Sequence, residues 1–200
     1  MTQISASTVA SLRGKTGAGL MDCKRALSEA KGDEQLAIDI LRRKGIQAAA
    51  KKAGRSTSEG RVFAYIHHNS RVGVLIEVAC ETDFVARGEV FEQLLKDLSM
   101  HIAAMVPTPL AVSKEGVPPG LVEEEKRILL ESEDMQGKPE EIRKKIVQGR
   151  LEKFIAERAL LEQEFVKDPS KTVGGVLKEA ITRLGENIRV NRFVRFELGA

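Results

Sequence analysis

The sequence has little sulfur and few aromatic rings. It contains two cysteines, Cys23 and Cys80, no tryptophan, and only 4% aromatic residues. Two distant cysteines exclude a disulfide-rich secreted scaffold and a cysteine-ligated zinc module, so we expect two reduced thiols. The scarcity of rings argues against a platform for single-stranded nucleic acid, because such platforms stack bases on aromatic side chains.

Long apolar runs and a charge excess of one sign are also missing. The longest apolar stretch, Val72–Cys80, is interrupted by Gly73 and Glu77 and is too short to span a membrane. The N-terminus lacks the basic and apolar regions of a signal peptide. Basic residues number 32 and acidic residues 29, a balance too even to indicate nucleic-acid binding. We therefore expect a cytoplasmic protein that binds neither a membrane nor nucleic acid directly.

The N-terminal quarter shows the apolar spacing of short helices. Apolar residues recur at helical intervals and predict three helices before residue 45. Ser5 or Ser7 would cap the first, Asp33 would cap the third, and Gly45 would end it. A short helical connector would follow, and the polar, glycine-flanked stretch 54–60 predicts a domain boundary.

The middle and the end of the chain show the patterns of strands. Two runs rich in β-branched residues, 62–67 and 72–80, predict a hairpin. The second run is apolar at nearly every position, so we expect a central strand covered on both faces. A third strand over 188–198 would complete a small antiparallel sheet, with a bulge or a covered face where Arg192 and Phe193 exchange the alternation.

Further helical patterns surround these strands. The spacing predicts helices over 90–105 and 173–184, and a charged helical hairpin within 121–168 whose second arm begins at Pro139. The pattern as a whole predicts an α+β fold. We place one domain over 1–55, comprising the three helices and the connector, and a second over 56–200 that includes the hairpin.

Groups that would form an active site are missing from the sequence. The histidines are His67, His68 and His101, and the first two are expected on opposite faces of a strand end, where they would not readily chelate one metal. Neither a phosphate-binding G-x-x-x-x-G-K-[ST] loop nor a G-x-S-x-G turn is present. We predict no catalytic residues, no bound metal and no cofactor, and therefore a protein that is not an enzyme.

The segment 81–87 stands where a strand passes into a helix. Thr82 or Asp83 can cap that helix, and Phe84, one heptad before Phe91, can begin its buried stripe. The residues by themselves favour this ordinary explanation. The alternative is that small neighbours leave the ring exposed, since an exposed ring beside a carboxylate would be an interface anchor.

Several sequence blocks together resemble the elongation factor Ts family. Thr82-Asp83-Phe84-Val85 after an apolar strand is similar to the signature of that family, and residues 12–27 are a closer match. Residues 48–55, 164–174 and 185–188 also match. The resemblance covers essentially the whole chain, with every block in the family's order. It implies a guanine-nucleotide exchange factor of protein biosynthesis whose partner is elongation factor Tu.

The resemblance also implies particular site residues. The N-terminal helices are similar to ubiquitin-associated (UBA) domains, and the positions matching the family's docking contacts with factor Tu are Arg13, Leu20, Met21 and Lys24. Leu20 stands where the family usually has methionine, and it keeps the volume and the apolarity. Without the resemblance, Leu20 would be assigned to a core, and Arg13 and Lys24 to solvent.

The exchange mechanism of the family maps onto Thr82, Asp83, Phe84 and Val85. The resemblance implies that the ring wedges between two helices of factor Tu, displaces its bound magnesium, disturbs its phosphate-binding loop and so releases GDP. The chain resembles the short members of the family, which suggests a homodimer in a two-plus-two complex. Strand 188–198 and the helical hairpin are the candidate surfaces for self-association.

Alternative functions stay open on the residues alone. An RNA-binding, translation-associated protein would use Lys51, Lys52, Arg55 and the basic run 143–145, and its affinity would depend steeply on salt. A UBA-like binding module with a structural tail would keep most of its binding within 1–55. An enzyme of unknown type is a third possibility, which the lack of a convergent polar site disfavours.

Overall fold

A computed structural model of the chain describes residues 4–135 and 137–199, which adopt an α+β fold with a small antiparallel sheet. The described residues form eight α-helices and five strands. The helices are α1 (Ala6–Thr16), α2 (Leu20–Glu29), α3 (Glu34–Lys52), α4 (Asp83–Ala86), α5 (Glu89–Ala104), α6 (Pro119–Glu131), α7 (Glu140–Arg158) and α8 (Val173–Leu184). The strands are β1 (Glu59–Ile66), β2 (Val72–Cys80), β3 (Glu164–Phe165), β4 (Asp168–Thr172) and β5 (Arg189–Glu197).

The described chain divides into two compact units. The first takes in the residues up to Arg61 together with Ala79–Leu94 and Gly175–Arg189, and the second takes in Val62–Val78, Leu95–Gly174 and the residues from Val190 onward. Each unit is therefore assembled from segments that are distant in sequence. The domain limits proposed above, 1–55 and 56–200, stay predictions.

Helices α1, α2 and α3 enclose a small apolar core, as predicted. The hydroxyl of Ser5 accepts the Thr8 N–H at 3.1 Å at the start of α1, and the carboxylate of Asp33 accepts the Leu36 N–H at 2.9 Å at the start of α3. Gly17, at φ 66°, ends α1 in the left-handed conformation that glycine adopts without steric cost. The buried residues of this core are Val9, Leu12, Cys23, Ala26, Leu27, Ala30, Ala37 and Ile40.

Helix α3 is longer than the sequence predicts. The expected end at Gly45 is wrong, because the helix continues without interruption to Lys52. The hydroxyl of Thr182 donates to the Gly45 carbonyl at 3.0 Å, and a Cβ on Gly45 would lie 3.2 Å from that hydroxyl. The absent side chain at Gly45 therefore serves the close approach of another segment and not the end of a helix.

The main sheet has the strand order β1-β2-β5, so β2 is central as predicted. The expected coverage of β2 on both faces is wrong for its first half. Leu75 is 45% exposed, whereas Ile76 and Val78 are fully buried. A continuous apolar run predicts two apolar faces, but it does not reveal whether the same chain covers both.

A second, two-stranded sheet is missing from the sequence-based prediction. The region expected to be a helical hairpin up to residue 168 does contain the helical pair α6 and α7, but α7 ends at Arg158. Beyond it, β3 and β4 pair antiparallel, with Glu164 opposite Thr172. Pro169, interpreted as part of a chain break, lies in β4, because a two-stranded ladder leaves an outer edge that needs no N–H donor.

Candidate functional site

Phe84 lies on the outside of the first unit. It sits in the single helical turn α4 directly after β2 and is 85% exposed, whereas its neighbours Val85 and Ala86 are 7% and 5% exposed. The turn thus buries two small side chains and presents the ring to solvent. Val85, one of the predicted site residues, anchors the turn from within.

The interpretation that the residues alone favoured, a buried Phe84 at the head of the next helix, is wrong. Helix α5 begins only at Glu89, after a break at Gly88, so the heptad spacing between Phe84 and Phe91 does not run through a single helix. Phe91 is fully buried and begins the predicted apolar stripe. The stripe is confirmed by the burial of Phe91, Leu94, Leu95, Leu98 and Ile102. The expected extension of this helix to Met105 is wrong, because α5 ends at Ala104 and Met105 is only partly buried.

Thr82 is the cap of the turn that carries Phe84. Its hydroxyl accepts the Val85 N–H at 3.4 Å, and its carbonyl accepts the Ala86 N–H at 3.2 Å. The backbone of Thr82 is extended, as expected of an N-cap residue. Of the two caps that the sequence allowed, the structure therefore uses Thr82 and leaves Asp83 free of that role.

Asp83 forms an ion pair with Arg87 across one helical turn. The carboxylate and the guanidinium lie 3.2 Å apart, and their side chains are 61% and 81% exposed. Exposed pairs of this kind contribute about 0–1 kcal/mol, so a partner molecule can compete for the carboxylate at little cost. Sequence analysis gave no role to Arg87, although its spacing of four residues from Asp83 is the signal for such a pair.

The backbone just before the turn is held by Glu186, which follows α8. One carboxylate oxygen of Glu186 accepts the N–H groups of Glu81 at 3.1 Å and Thr82 at 3.0 Å. The other accepts the Thr82 hydroxyl at 2.6 Å. Sequence comparison marked 185–188 as a matching block but indicated no function, because the contact joins residues that are more than a hundred positions apart.

In a second set of hydrogen bonds, the residues after α8 supply the donors and the end of β2 supplies the acceptor. The carboxylate of Glu81 accepts the Asn187 N–H at 2.6 Å and lies 3.6 Å from the Arg55 guanidinium. The buried amide of Asn187 donates to the carbonyls of Ala53 at 3.3 Å and Arg55 at 2.8 Å. The residues after α8, the residues after α3 and the end of β2 are thereby joined in one hydrogen-bonded junction.

The predicted docking residues flank the loop 17–19. Arg13 lies near the end of α1, and Leu20, Met21 and Lys24 lie in the first turns of α2. All four are exposed, with Leu20 at 52% and Met21 at 63%. The assignment of Leu20 to a core, which the residues alone favoured, is wrong, because Cys23, Ala26 and Leu27 supply the buried face of α2.

Basic residues proposed as RNA contacts have acidic neighbours. Arg55 pairs with Glu81, and Lys144 of the basic run lies 2.7 Å from Glu140. An ion pair within the protein reduces the positive field that a phosphate backbone would meet.

The histidines do not assemble a metal centre. Among the described residues there is no group of three or more His, Cys, Asp and Glu side chains placed to hold a metal ion. The expectation that His67 and His68 point apart is wrong: their ring centroids lie 4.2 Å apart. Both follow the end of β1, so the alternation of a strand no longer governs their directions.

His101 is buried in the second unit within a hydrogen-bond network. Its Nε2 lies 3.0 Å from the Gln163 side-chain oxygen, and its Nδ1 accepts the Val166 N–H at 3.2 Å. Burial lowers the pKa of His101, although the bond to Gln163 opposes this shift. An imidazole that accepts at one nitrogen and donates at the other is neutral, so this histidine serves packing.

No helix of the described residues combines the length and the apolar composition that crossing a membrane requires.

Known proteins match nearly the whole sequence. The sequence model of a family described as elongation factor TS matches residues 35–200. An elongation factor Ts of Thermoanaerobacter sp. (strain X514) is 55% identical over 196 residues, which cover 98% of this chain and 95% of the relative. Those of Caldanaerobacter subterraneus subsp. tengcongensis and Fervidobacterium nodosum are 56% and 50% identical, and the matches cover 98% of this chain in both cases and 97% and 99% of the relatives.

Proposed function

Because the chain belongs to the elongation factor Ts family, we propose that it binds elongation factor Tu in its GDP-bound form and speeds the release of GDP, so that GTP can take its place. It would act in the cytoplasm as a partner protein of translation and not as an enzyme. The observation that carries this proposal is the 85% exposure of Phe84 on a capped turn beside the carboxylate of Asp83.

Docking is assigned to the first turns of α2 and the end of α1. Leu20 and Met21 offer an exposed apolar pair, and Arg13 and Lys24 add two cations beside it. A UBA-like three-helix domain of this kind would place the apolar pair on a helix of the factor Tu nucleotide domain. Two apolar side chains that become buried on binding, with cations at the rim, match the composition of specific interfaces.

Exchange is assigned to Thr82, Asp83, Phe84 and Val85, which belong to the same compact unit as the docking residues. The ring of Phe84 would enter between two helices of factor Tu near the nucleotide, and Asp83 would compete for a cation or for amides there. Val85 and Thr82 would hold the turn in place. Burial of a phenylalanine side chain contributes about 2 kcal/mol, which is enough to support a local displacement in the partner.

The physical basis of release is linkage between two ligands of one protein. This chain and GDP would favour different conformations of factor Tu, so each weakens the binding of the other. Displacing the magnesium of factor Tu would remove the largest positive charge near the diphosphate. No covalent bond is made or broken, so the chain needs no catalytic residue.

We also propose that two copies of this chain associate through one face of the main sheet. Six large apolar side chains of the second unit are exposed on β1, β2 and β5 or directly after them: Val62, Ile66, Leu75, Val194, Phe196 and Leu198. They follow the alternation of their strands, and several line one shallow groove. An exposed apolar sheet face marks an interaction surface, and two copies of it can meet across a two-fold axis, so a dimer would offer two copies of the exchange turn.

The test is the release of a fluorescent GDP analogue from elongation factor Tu, measured with increasing amounts of this protein. The intact chain is expected to speed release. Phe84→Ala should lower the maximal rate about 30-fold, as loss of about 2 kcal/mol implies, with little change in the half-saturating concentration. Arg13→Ala should instead raise that concentration. Val106→Ala, which truncates an apolar residue of similar exposure at 88%, is the matched control.

Each outcome of this assay has a definite meaning. No acceleration by the intact chain would contradict the proposed function. Wild-type behaviour of both Phe84→Ala and Arg13→Ala would contradict the assignment of the site. Salt-sensitive binding of RNA without any effect on GDP release would favour the RNA-binding alternative.

A further inference from the structure

We infer that Glu186 is a positioning residue for nucleotide exchange, an inference that rests on the proposed function of Phe84. The carboxylate of Glu186 makes three hydrogen bonds to two consecutive residues, Glu81 and Thr82, at 3.1, 3.0 and 2.6 Å. These are the last residues before the turn that carries the ring. Glu186 therefore fixes the direction of the backbone between the end of β2 and the start of α4.

The N–H groups that Glu186 binds lie where a strand ladder stops. Glu81 and Thr82 follow the last residue of β2, and their N–H groups precede the helical bonds of α4. The Glu81 N–H is partly buried and requires a partner, and the same oxygen of Glu186 also accepts the more exposed Thr82 N–H. One side chain thus satisfies both donors and holds the backbone of both residues at once.

Glu186 also orients the cap of the turn. The hydroxyl of Thr82 has one hydrogen and two lone pairs, and the hydrogen is directed to Glu186 at 2.6 Å. A lone pair is then left facing the Val85 N–H at 3.4 Å, which is the capping bond of α4. Without a hydrogen-bonding group at position 186 the hydroxyl is free to rotate, and the cap loses its preferred orientation.

Reciprocal bonds connect the same turn to the end of α3. Glu81 accepts the Asn187 N–H, and Asn187 donates to the carbonyls of Ala53 and Arg55. The base of the turn is therefore held by two other segments, the residues after α8 and those after α3, within one compact unit. A ring on a rigid base transmits its binding energy to the partner, whereas a ring on a mobile loop loses part of that energy to ordering.

The inference predicts a specific split in the exchange kinetics. Glu186→Ala should lower the maximal rate of GDP release about tenfold, because a misplacement of about 1 Å can cost about a hundredfold and the bonds of Asn187 still hold part of the turn. The half-saturating concentration should stay within about twofold, since the docking residues are untouched. A merely structural role would lower the melting temperature and leave this split absent.

Two further variants separate geometry from charge. Glu186→Gln keeps an oxygen for the N–H groups of Glu81 and Thr82 and gains an NH₂ group that can donate to the Thr82 hydroxyl, so exchange should be largely preserved. Glu186→Asp keeps the charge but shortens the side chain by one methylene, so exchange should fall towards the level of Glu186→Ala. Glu164→Ala, which removes an exposed carboxylate of β3, is the matched control.

A measurement without factor Tu makes the test independent of binding. The chain has no tryptophan, so Phe84→Trp introduces a single tryptophan at the tip, which can be excited apart from Tyr65. Combining this variant with Glu186→Ala should lower the tryptophan anisotropy at temperatures well below unfolding. Combining it instead with Glu186→Gln should leave the anisotropy near that of Phe84→Trp alone. This measurement needs only folded protein, and Glu186→Asp replaces the alanine variant if the latter does not fold.

The outcomes separate this inference from the function on which it rests. If Phe84→Ala slows GDP release but Glu186→Ala has the wild-type rate and anisotropy, the positioning role alone is overturned. A wild-type rate for Phe84→Ala would overturn the proposed site, and the positioning role with it. Equal loss in the alanine and glutamine variants would also overturn the inference, since it would show that charge and not hydrogen-bond geometry is required.

Discussion

The Asp83 carboxylate and the Arg87 guanidinium lie 3.2 Å apart on the turn that presents Phe84 to solvent. Asp83, the acid that is proposed to compete for groups of factor Tu, is thus already bound to Arg87. Because both partners are exposed, the pair is easily exchanged for one with another molecule. The Phe84 ring is therefore available to a partner directly, whereas the Asp83 carboxylate becomes available once its ion pair with Arg87 opens.

Separate substitutions of this pair should have unequal effects. Asp83→Asn should slow GDP release from factor Tu about tenfold, since a charge-assisted hydrogen bond to the partner contributes about 1.5–3 kcal/mol. Arg87→Gln should leave the rate within about twofold, because it removes only an exposed ion pair. The fluorescent GDP assay measures both. Equal slowing by the two variants would indicate that the ion pair, and not the free carboxylate, is required.

Truncation of Phe84 and truncation of Phe91 should differ strongly in their effect on stability. Phe84→Ala should change the free energy of unfolding by less than about 0.5 kcal/mol, as expected of a side chain that is 85% exposed. Phe91→Ala should cost about 3–5 kcal/mol, because Phe91 is fully buried. Chemical denaturation of the two variants measures the difference. A large loss of stability in Phe84→Ala would contradict the exposed position of the ring.

The apolar sheet face should hold two copies of the chain together. Sedimentation of the intact protein at micromolar concentration should give a particle of twice the chain mass of 22.0 kDa. Phe196→Asp should yield monomers, because a carboxylate buried without a partner opposes association. Phe84→Asp, the same change at an exposed ring outside the sheet, should leave the dimer intact. A particle of the single-chain mass for the intact protein would contradict the dimer.

The buried His101 should make the protein less stable in mild acid. Its pKa in the folded protein lies below the ordinary value of 6.5, and burial is the main cause. Between the two values the unfolded chain binds more protons than the folded one, so stability rises with pH and falls as pH drops below about 6.5. Denaturant unfolding at a series of pH values, compared with that of His101→Gln, measures this dependence. If the free energy of unfolding of His101→Gln depends on pH as in the unchanged protein, the pH dependence arises from other groups.

The ion pair between Asp134, which precedes α7, and Arg150 of α7 should stabilise the fold only above strongly acidic pH. Its hydrogen bonds to Arg150 lower the pKa of Asp134 from 3.8 to about 2. A carboxyl with a depressed pKa stabilises the fold above its unfolded value, and that contribution is lost as pH falls from about 4 to about 2. Carboxyl-carbon NMR should give a pKa closer to 3.8 for Asp134 in Arg150→Met. No shift in that variant would contradict the role of Arg150.

Local chemistry accounts for what the sequence predicted correctly. Ser5 and Asp33 cap helices at the expected positions, because an N-cap is decided by a side chain and a backbone N–H two or three residues away. The buried stripe of α5 and the central position of β2 follow from apolar periodicity, which is also a property of a short window. The ordered blocks that resemble the elongation factor Ts family were likewise legible without coordinates.

The errors share a different cause. Gly45 ended a helix in the sequence-based interpretation, but Thr182, from a distant segment, passes close to it in the structure. The strand pairing of β3 with β4 was missed because each strand is short and carries little pattern of its own. In both cases the deciding neighbour lies outside any local window.

The sequence by itself determined where most helices begin, which strand is central and which family the chain belongs to, since caps, periodicity and ordered motifs are written in neighbouring residues. Only the tertiary structure decided that Phe84 faces solvent while Phe91 faces the core, because a break at Gly88 separates their helices. It also decided that Glu186 holds Thr82, because a hydrogen bond between residues 104 positions apart forms only when the fold brings them together.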